Sequence, residues 1–193
     1  MSIKGIDISA WQTNVNWQAV KDAGIKFVII KLGESGKLDS MFIDHVNNAV
    51  DYGLRYGVYY YAHATSVSEA RLEANWVDSQ IEKYLNGKNP EMGIWYDMED
   101  SAIANSGADI TAICGNFVDQ LNAFGYTYVG IYSSYNWFTN GNIDTTQLAE
   151  YVPYWCAQYN FECNFMHPNL RIWQYTDKLN IAGQYFDGNK YYE

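Results

Sequence analysis

The sequence predicts an α/β chain folded as an incomplete (β/α) barrel, and three observations lead there. Short β-rich runs alternate with amphipathic segments as far as residue 132. Beyond that point strands follow one another with little helix between them. The chain has 193 residues, short of the roughly 250 that a full eight-fold barrel uses, so the last helices should be missing.

The elements run as follows. Residues 3–9 read as a strand. Residues 17–23 form a helix, with Asn16 as N-cap and Gly24 as its stop. The β-branched run at 26–32 is a buried strand. Residues 40–52 are helical and closed by Gly53, and 55–62 are a tyrosine-rich strand. A long helix spans 66–85, with Ser66 and Glu69 spaced as a capping box. Residues 92–98 are a strand, 109–124 a helix stopped by Gly125, and 127–132 a strand. This order implies a parallel sheet with helices outside it. Residues 134–138 and 145–150 read as short helices, and 152–158, 170–175 and 181–186 as strands.

Composition narrows the function. Hydrophobic residues make up 48% and charged residues 18%, which excludes a disordered chain. Acidic residues number 22 and basic ones 12, a net charge of −10. Nucleic acid is a poor partner for such a chain, and so is an anionic membrane surface. No apolar run approaches a membrane-spanning length, and the N-terminus has no apolar signal core. Cys114, Cys156 and Cys163 form no C-x-x-C pair and are expected to be packed free thiols. Aromatic residues reach 17%, dominated by 18 tyrosines, which suits surfaces that are half apolar and half wet.

A weak repeat adds geometry. Gly5, Gly57, Gly93 and Gly130 are each followed by Ile or Val inside a strand reading. If they mark one barrel layer, residues counted onward by twos line the interior toward the C-terminal mouth. These are Asp7 and Ser9; Tyr59, Tyr61 and His63; Trp95, Asp97 and Glu99; and Tyr132 and Ser134. Asp97 and Glu99 share a strand face, which pushes one carboxyl pKa up. A neutral Glu beside an ionised Asp suits general-acid chemistry on an acetal. Asp7 and Asp187 sit near the first and last strands, which are neighbours in a closed barrel. Four acids thus converge on one mouth. Calcium or magnesium is the rival use, but no loop has calcium-binding spacing. His45, His63 and His167 are scattered, and there is no G-x-S-x-G and no phosphate-cradling loop. Neither a metal nor a cofactor is expected. Tyr and Trp near the strand ends, among them Trp155, Tyr159 and Trp173, match the apolar faces and hydroxyl edges of sugars.

These residues carry a family resemblance from Gly5 to Tyr192. Asp7-Ile-Ser9-Ala-Trp-Gln12, Gly57-Val-Tyr-Tyr-Tyr61-Ala-His63, Asp97-Met-Glu99, Trp155-Cys-Ala157-Gln-Tyr159, Trp173-Gln-Tyr175 and Asp187-Gly-Asn189 occur in order. Together they resemble the motifs of glycoside hydrolase family 25 lysozymes, N-acetylmuramidases found among phage endolysins and bacterial autolysins. The resemblance implies a TIM-like flattened (β/α)5(β)3 barrel and a single catalytic domain over 1–193 without cell-wall-binding repeats. It implies hydrolysis of the β-1,4 bond from N-acetylmuramic acid to N-acetylglucosamine in bacterial peptidoglycan. Glu99 would be the general acid, Asp97 its charged partner, and Asp7 and Asp187 would complete the cluster. Tyr61, Tyr132, Trp155, Tyr159, Trp173 and Gln12 would contact substrate. A monomer is expected. With no signal peptide, a phage lysin of this kind would wait in the host cytoplasm for a holin. Two other classes stand beside this reading: a chitinase-like hydrolase, whose longer D-x-x-D-x-D-x-E is absent, and a non-catalytic wall-binding module. Both retaining chemistry through the substrate's acetamido group and inversion through water stay open.

Overall fold

The computed structural model describes residues 2–192. Its strands are β1 (Ser2–Ile8), β2 (Phe27–Glu34), β3 (Lys37–Leu38), β4 (Arg55–Tyr61), β5 (Ile94–Asp97), β6 (Val129–Ser134), β7 (Tyr154–Ala157), β8 (Leu170–Ile181) and β9 (Gln184–Tyr192). Its helices are α1 (Trp17–Asp22), α2 (Phe42–Asp51), α3 (Val67–Leu85), α4 (Ser101–Ala104), α5 (Ile110–Ala123) and α6 (Tyr135–Thr139). Sheet order runs β1-β9-β8-β7-β6-β5-β4-β2, and β1 also pairs with β2, so eight strands close on themselves. β3 is a short flap folded back on β2. Five strands are followed by helix and three are not, which gives the (β/α)5(β)3 barrel. Every ladder among β1, β2 and β4–β8 is parallel, whereas β9 runs antiparallel to both its neighbours.

Strand alternation sorts the apolar residues into two cores. Val28, Ile30, Val58 and Tyr96 face outward and pack with Val77, Ile81, Phe117 and other helix residues. Phe27, Ile29, Met92, Trp95, Trp155 and Ile172 fill the barrel interior. The local signals act as expected at several helix starts. Asn16 accepts the Ala19 N–H at 3.0 Å, and Ser66 accepts that of Glu69 at 3.3 Å. The Glu69 carboxylate reaches back to the Thr65 N–H at 2.7 Å.

Several expectations change. The helix expected from residue 40 begins at Phe42, because Asp39 organises the turn before it by accepting the Met41 N–H at 2.9 Å. The helix expected at 145–150 is only a 3₁₀ turn, Thr145–Gln147, held by the Asp144 side chain. Residues 181–186 are not one strand: a two-residue turn at Ala182 and Gly183, both at positive φ, breaks them between β8 and β9. β3 and α4 are too short to have a periodic signal.

The glycines do not form one layer. Gly5 is level with Phe27, Gly57 with Ile29, and Gly130 with Trp95 of β5, two residues beyond Gly93, which precedes that strand. Closure staggers the strands, so the glycines step around the barrel. Their common task is clearance for large interior side chains. A Cβ on Gly5 would lie 2.3 Å from the Phe27 ring, and one on Gly130 would lie 2.5 Å from both the Trp95 ring and the Pro153 carbonyl. Gly130→Ala is therefore expected to cost about 3 kcal/mol, because a backbone carbonyl blocks the way out as well. Urea unfolding measures it; a loss under about 0.5 kcal/mol would remove the clearance argument. Among the described residues no helix is long and apolar enough to cross a membrane.

Candidate active site

The C-terminal ends of the parallel strands surround a cavity of about 200 Å³. It is lined by Asp7, Tyr59, Asp97, Glu99, Tyr132, Trp155, Tyr159, Gln174 and Asp187. The antiparallel β9 matters here, because it sets Asp187 directly opposite Asp7 in the ladder. Asp97 is the last residue of β5, beside Tyr61 on one flank and Tyr132 on the other. All four expected acids thus meet at one mouth.

A polar network holds the floor. Asp7 Oδ2 accepts from Asn189 Nδ2 at 2.7 Å and from Gln174 Nε2 at 2.9 Å. The Gln174 carbonyl oxygen accepts the hydroxyls of Tyr132 at 3.0 Å and Tyr159 at 3.2 Å. Trp155 Nε1 donates to Asn189 Oδ1 at 2.8 Å, and the Trp155 ring lies 4.4 Å from that of Tyr132. Each amide is used on both ends, which fixes its orientation and leaves Asp7 rigid.

The four carboxyls all titrate above the ordinary carboxylate range. Burial is the largest cause for Asp97, followed by the charges of Glu99 and Asp7, while Lys31 opposes them. Burial also leads for Asp7, with Asp187 next; the bonds from Asn189 and Gln174 pull the other way. The contact between Asp7 and Asp187 raises Asp7 and lowers Asp187, so the two carboxyls titrate as a pair. Glu99 is raised by burial and then by Asp187, and held back by the Tyr132 hydroxyl and Lys31. Glu99 stands at the open edge, whereas Asp97 and Asp7 are buried. Asp97 Oδ1 is buried and has no hydrogen-bond partner among the described residues.

These shifts set a pH dependence. Groups with raised folded-state values bind protons more tightly when folded. Their contribution to stability is complete below the ordinary carboxyl range, near pH 4, and is lost as pH rises through the shifted values. Tm is expected to climb as pH falls from neutrality toward about 5. Scanning calorimetry over that window tests it, and a falling Tm would mean that depressed surface carboxyls dominate instead.

Not every expected contact lines the cavity. Tyr61 stands at the rim, with Lys31 Nζ 5.3 Å from its ring centroid and its hydroxyl pushed up to about 12 by burial and by Asp97. Gln12 is set apart: its Oε1 accepts the Ser9 N–H at 3.0 Å and braces the loop after β1. Trp173 faces the opposite side of β8 from Ile172 and Gln174. There its Nε1 donates to the Gln158 carbonyl at 2.7 Å and Lys190 sits 4.5 Å from its ring. The even-odd alternation of that strand carries this information. Sequence reasoning passes over Lys31, Gln174 and Asn189 as site residues. Lys31 carries a signal, as a lone charge two residues after Ile29 in an apolar run. The three cysteines are free thiols, and no group of His, Cys, Asp and Glu among the described residues is arranged to hold a metal.

A parallel-stranded barrel with acids and aromatic side chains gathered at its C-terminal mouth is the frame of a barrel hydrolase. The sequence profile of glycosyl hydrolases family 25 matches residues 6–184, and the chain belongs to that family. It is 30% identical over 202 residues to "Probable GH family 25 lysozyme 2" of Dictyostelium discoideum, covering 98% of this chain and 91% of that one. Its fold is similar to that of the modular autolysin LytC from Streptococcus pneumoniae, which has also been solved with a synthetic peptidoglycan ligand. That match has a TM-score of 0.85 at 25% identity and covers 99% of this chain and 47% of the autolysin. The catalytic domain of endolysin ply40 from bacteriophage P40 of Listeria monocytogenes is similar at a TM-score of 0.81 and 25% identity, over 98% and 92% of the two chains. This chain spans 64% and 52% of the length of two bacterial relatives.

Proposed function

We propose that this chain is a muramidase catalytic domain that hydrolyses the β-1,4 bond between N-acetylmuramic acid and N-acetylglucosamine in bacterial peptidoglycan. The observation that carries the reading is the cavity in which Asp97 and Glu99 stand together between aromatic walls. Glu99 acts as general acid: its raised pKa keeps a proton available, and its open position lets the glycosidic oxygen reach it. Asp97 is the charged partner. Its orphaned buried oxygen needs a donor, and the N–H of a substrate acetamido group is one. That bond would hold Asp97 ionised and turn the acetamido oxygen toward the anomeric carbon, so the product retains its configuration. Asp7, with Asn189 and Gln174, sets the floor beneath them.

Reducing-end analysis of digested peptidoglycan tests the reading. New reducing muramic acid ends are expected; reducing glucosamine ends would refute it, and preferential release from chitin would favour the chitinase-like alternative. The anomer formed first, read by proton NMR, tests the acetamido route, and an inverted product would replace it with attack by water.

A further inference from the structure

A second, larger cavity of about 430 Å³ lies beside the mouth, between the β2–β3 turn, the end of β4 and the first half of α3. Its apolar floor is Trp76, packed on Tyr60 with ring centroids 5.3 Å apart, and its outer wall is Leu72, 65% exposed. An isolated leucine that open needs no account, but here it continues a concave surface. The far end is acidic. Glu73 is half-buried and raised above the ordinary glutamate range by that burial; its Oε1 accepts the His63 N–H at 3.0 Å and its Oε2 accepts the Tyr96 hydroxyl. No lysine or arginine among the described residues pairs with it. Glu69 stands one helical turn away on the same rim.

One wall of the cavity borders the proposed site. His63, in its wall, lies 3.3 Å from Asp100, the residue that follows Glu99. The geometry points to a binding subsite for a methylene chain ending in a primary ammonium, the side chain of a diamino acid in the peptide attached to the glycan. The inference rests on the peptidoglycan reading and names the part of that polymer the second cavity takes. The methylene stem would lie on Trp76 and Leu72, and the ammonium would meet Glu73 and the Trp76 ring face. A neutral sugar would use the aromatic floor but bring no cation to the two acids, whose hydrogen bonds come from the neutral groups of Thr65, His63 and Tyr96.

The test compares three soluble glycan strands: one carrying peptides with a free diamino acid, one with that amine acetylated, and one stripped of peptide. The expected result is a kcat/KM about fivefold higher for the free amine than for the acetylated form. Glu73→Gln and Leu72→Lys should each bring that ratio close to one. Equal rates on the two peptide-bearing strands, or a ratio that neither variant moves, would overturn the subsite. Loss of hydrolysis on all three strands would count against the muramidase reading instead. In that case NMR of the intact chain with the free diamino peptide decides the subsite. The Trp76 indole N–H, assigned by Trp76→Phe, should shift with the free peptide and stay still with the acetylated one; no shift with either would reject it.

Discussion

Glu99→Gln is expected to lower kcat on peptidoglycan by about 10³-fold and to leave Tm unchanged or higher. The two halves of this result have one origin. Glutamine keeps the shape of glutamate but carries no proton to give, so the leaving oxygen must depart without protonation. At the same time the substitution removes a negative charge that raises Asp97, and it does so at the open edge, where no packing is disturbed. A variant that stops because it unfolds would instead lose activity and Tm together. Lysis assays beside calorimetry on one preparation separate the cases, and full retained activity would move the acid role to another residue.

Asp97→Asn should reduce kcat by about 10²- to 10³-fold while raising Tm at neutral pH. Asp97 is buried, opposed by Glu99 and Asp7, and helped only by Lys31 among the neighbours that shift it most. Its ionised form is therefore costly in the empty site and useful only when a substrate N–H arrives. Asparagine has no charge to bury. The gain in Tm should be largest near pH 7 and vanish near pH 4, where the wild-type carboxyl is itself protonated. A gain of the same size at both pH values would mean that packing, not charge, was relieved.

The sequence made the strand order, the parallel ladders and the missing late helices legible, because each long element has its own period and its own stop. Asn16, Ser66 and Asp109 cap helices with their side chains where the sequence placed the starts. Elements of two to four residues, β3 and α4, have no period to read. The turn at Ala182 hid because its first residue takes positive φ without being glycine. The acids were legible by counting along strands, and Asp187 by the neighbourhood of first and last strands. The amides were not. Gln174 and Asn189 stand inside two of the quoted motifs, but their task is hidden until closure places both on Asp7. Trp173 shows the converse, a motif residue whose register turns it away from the cavity.

The bond from Asn189 to Asp7 spans 182 positions of chain, and that from Gln174 spans 167. Contacts this remote form late, after the entropy of closing very long loops has been met. A growing chain on the ribosome can pair β1 with β2, β2 with β4, and so on to β8, yet it holds no assembled acid cluster until β9 emerges and inserts between β8 and β1. Until then the edges of β1 and β8 are unpaired strands, the surfaces most prone to joining another chain. Synthesis of the barrel strands and assembly of the site are thereby separated in time: the final strand of the barrel, β9, closes it and brings the carboxylates together.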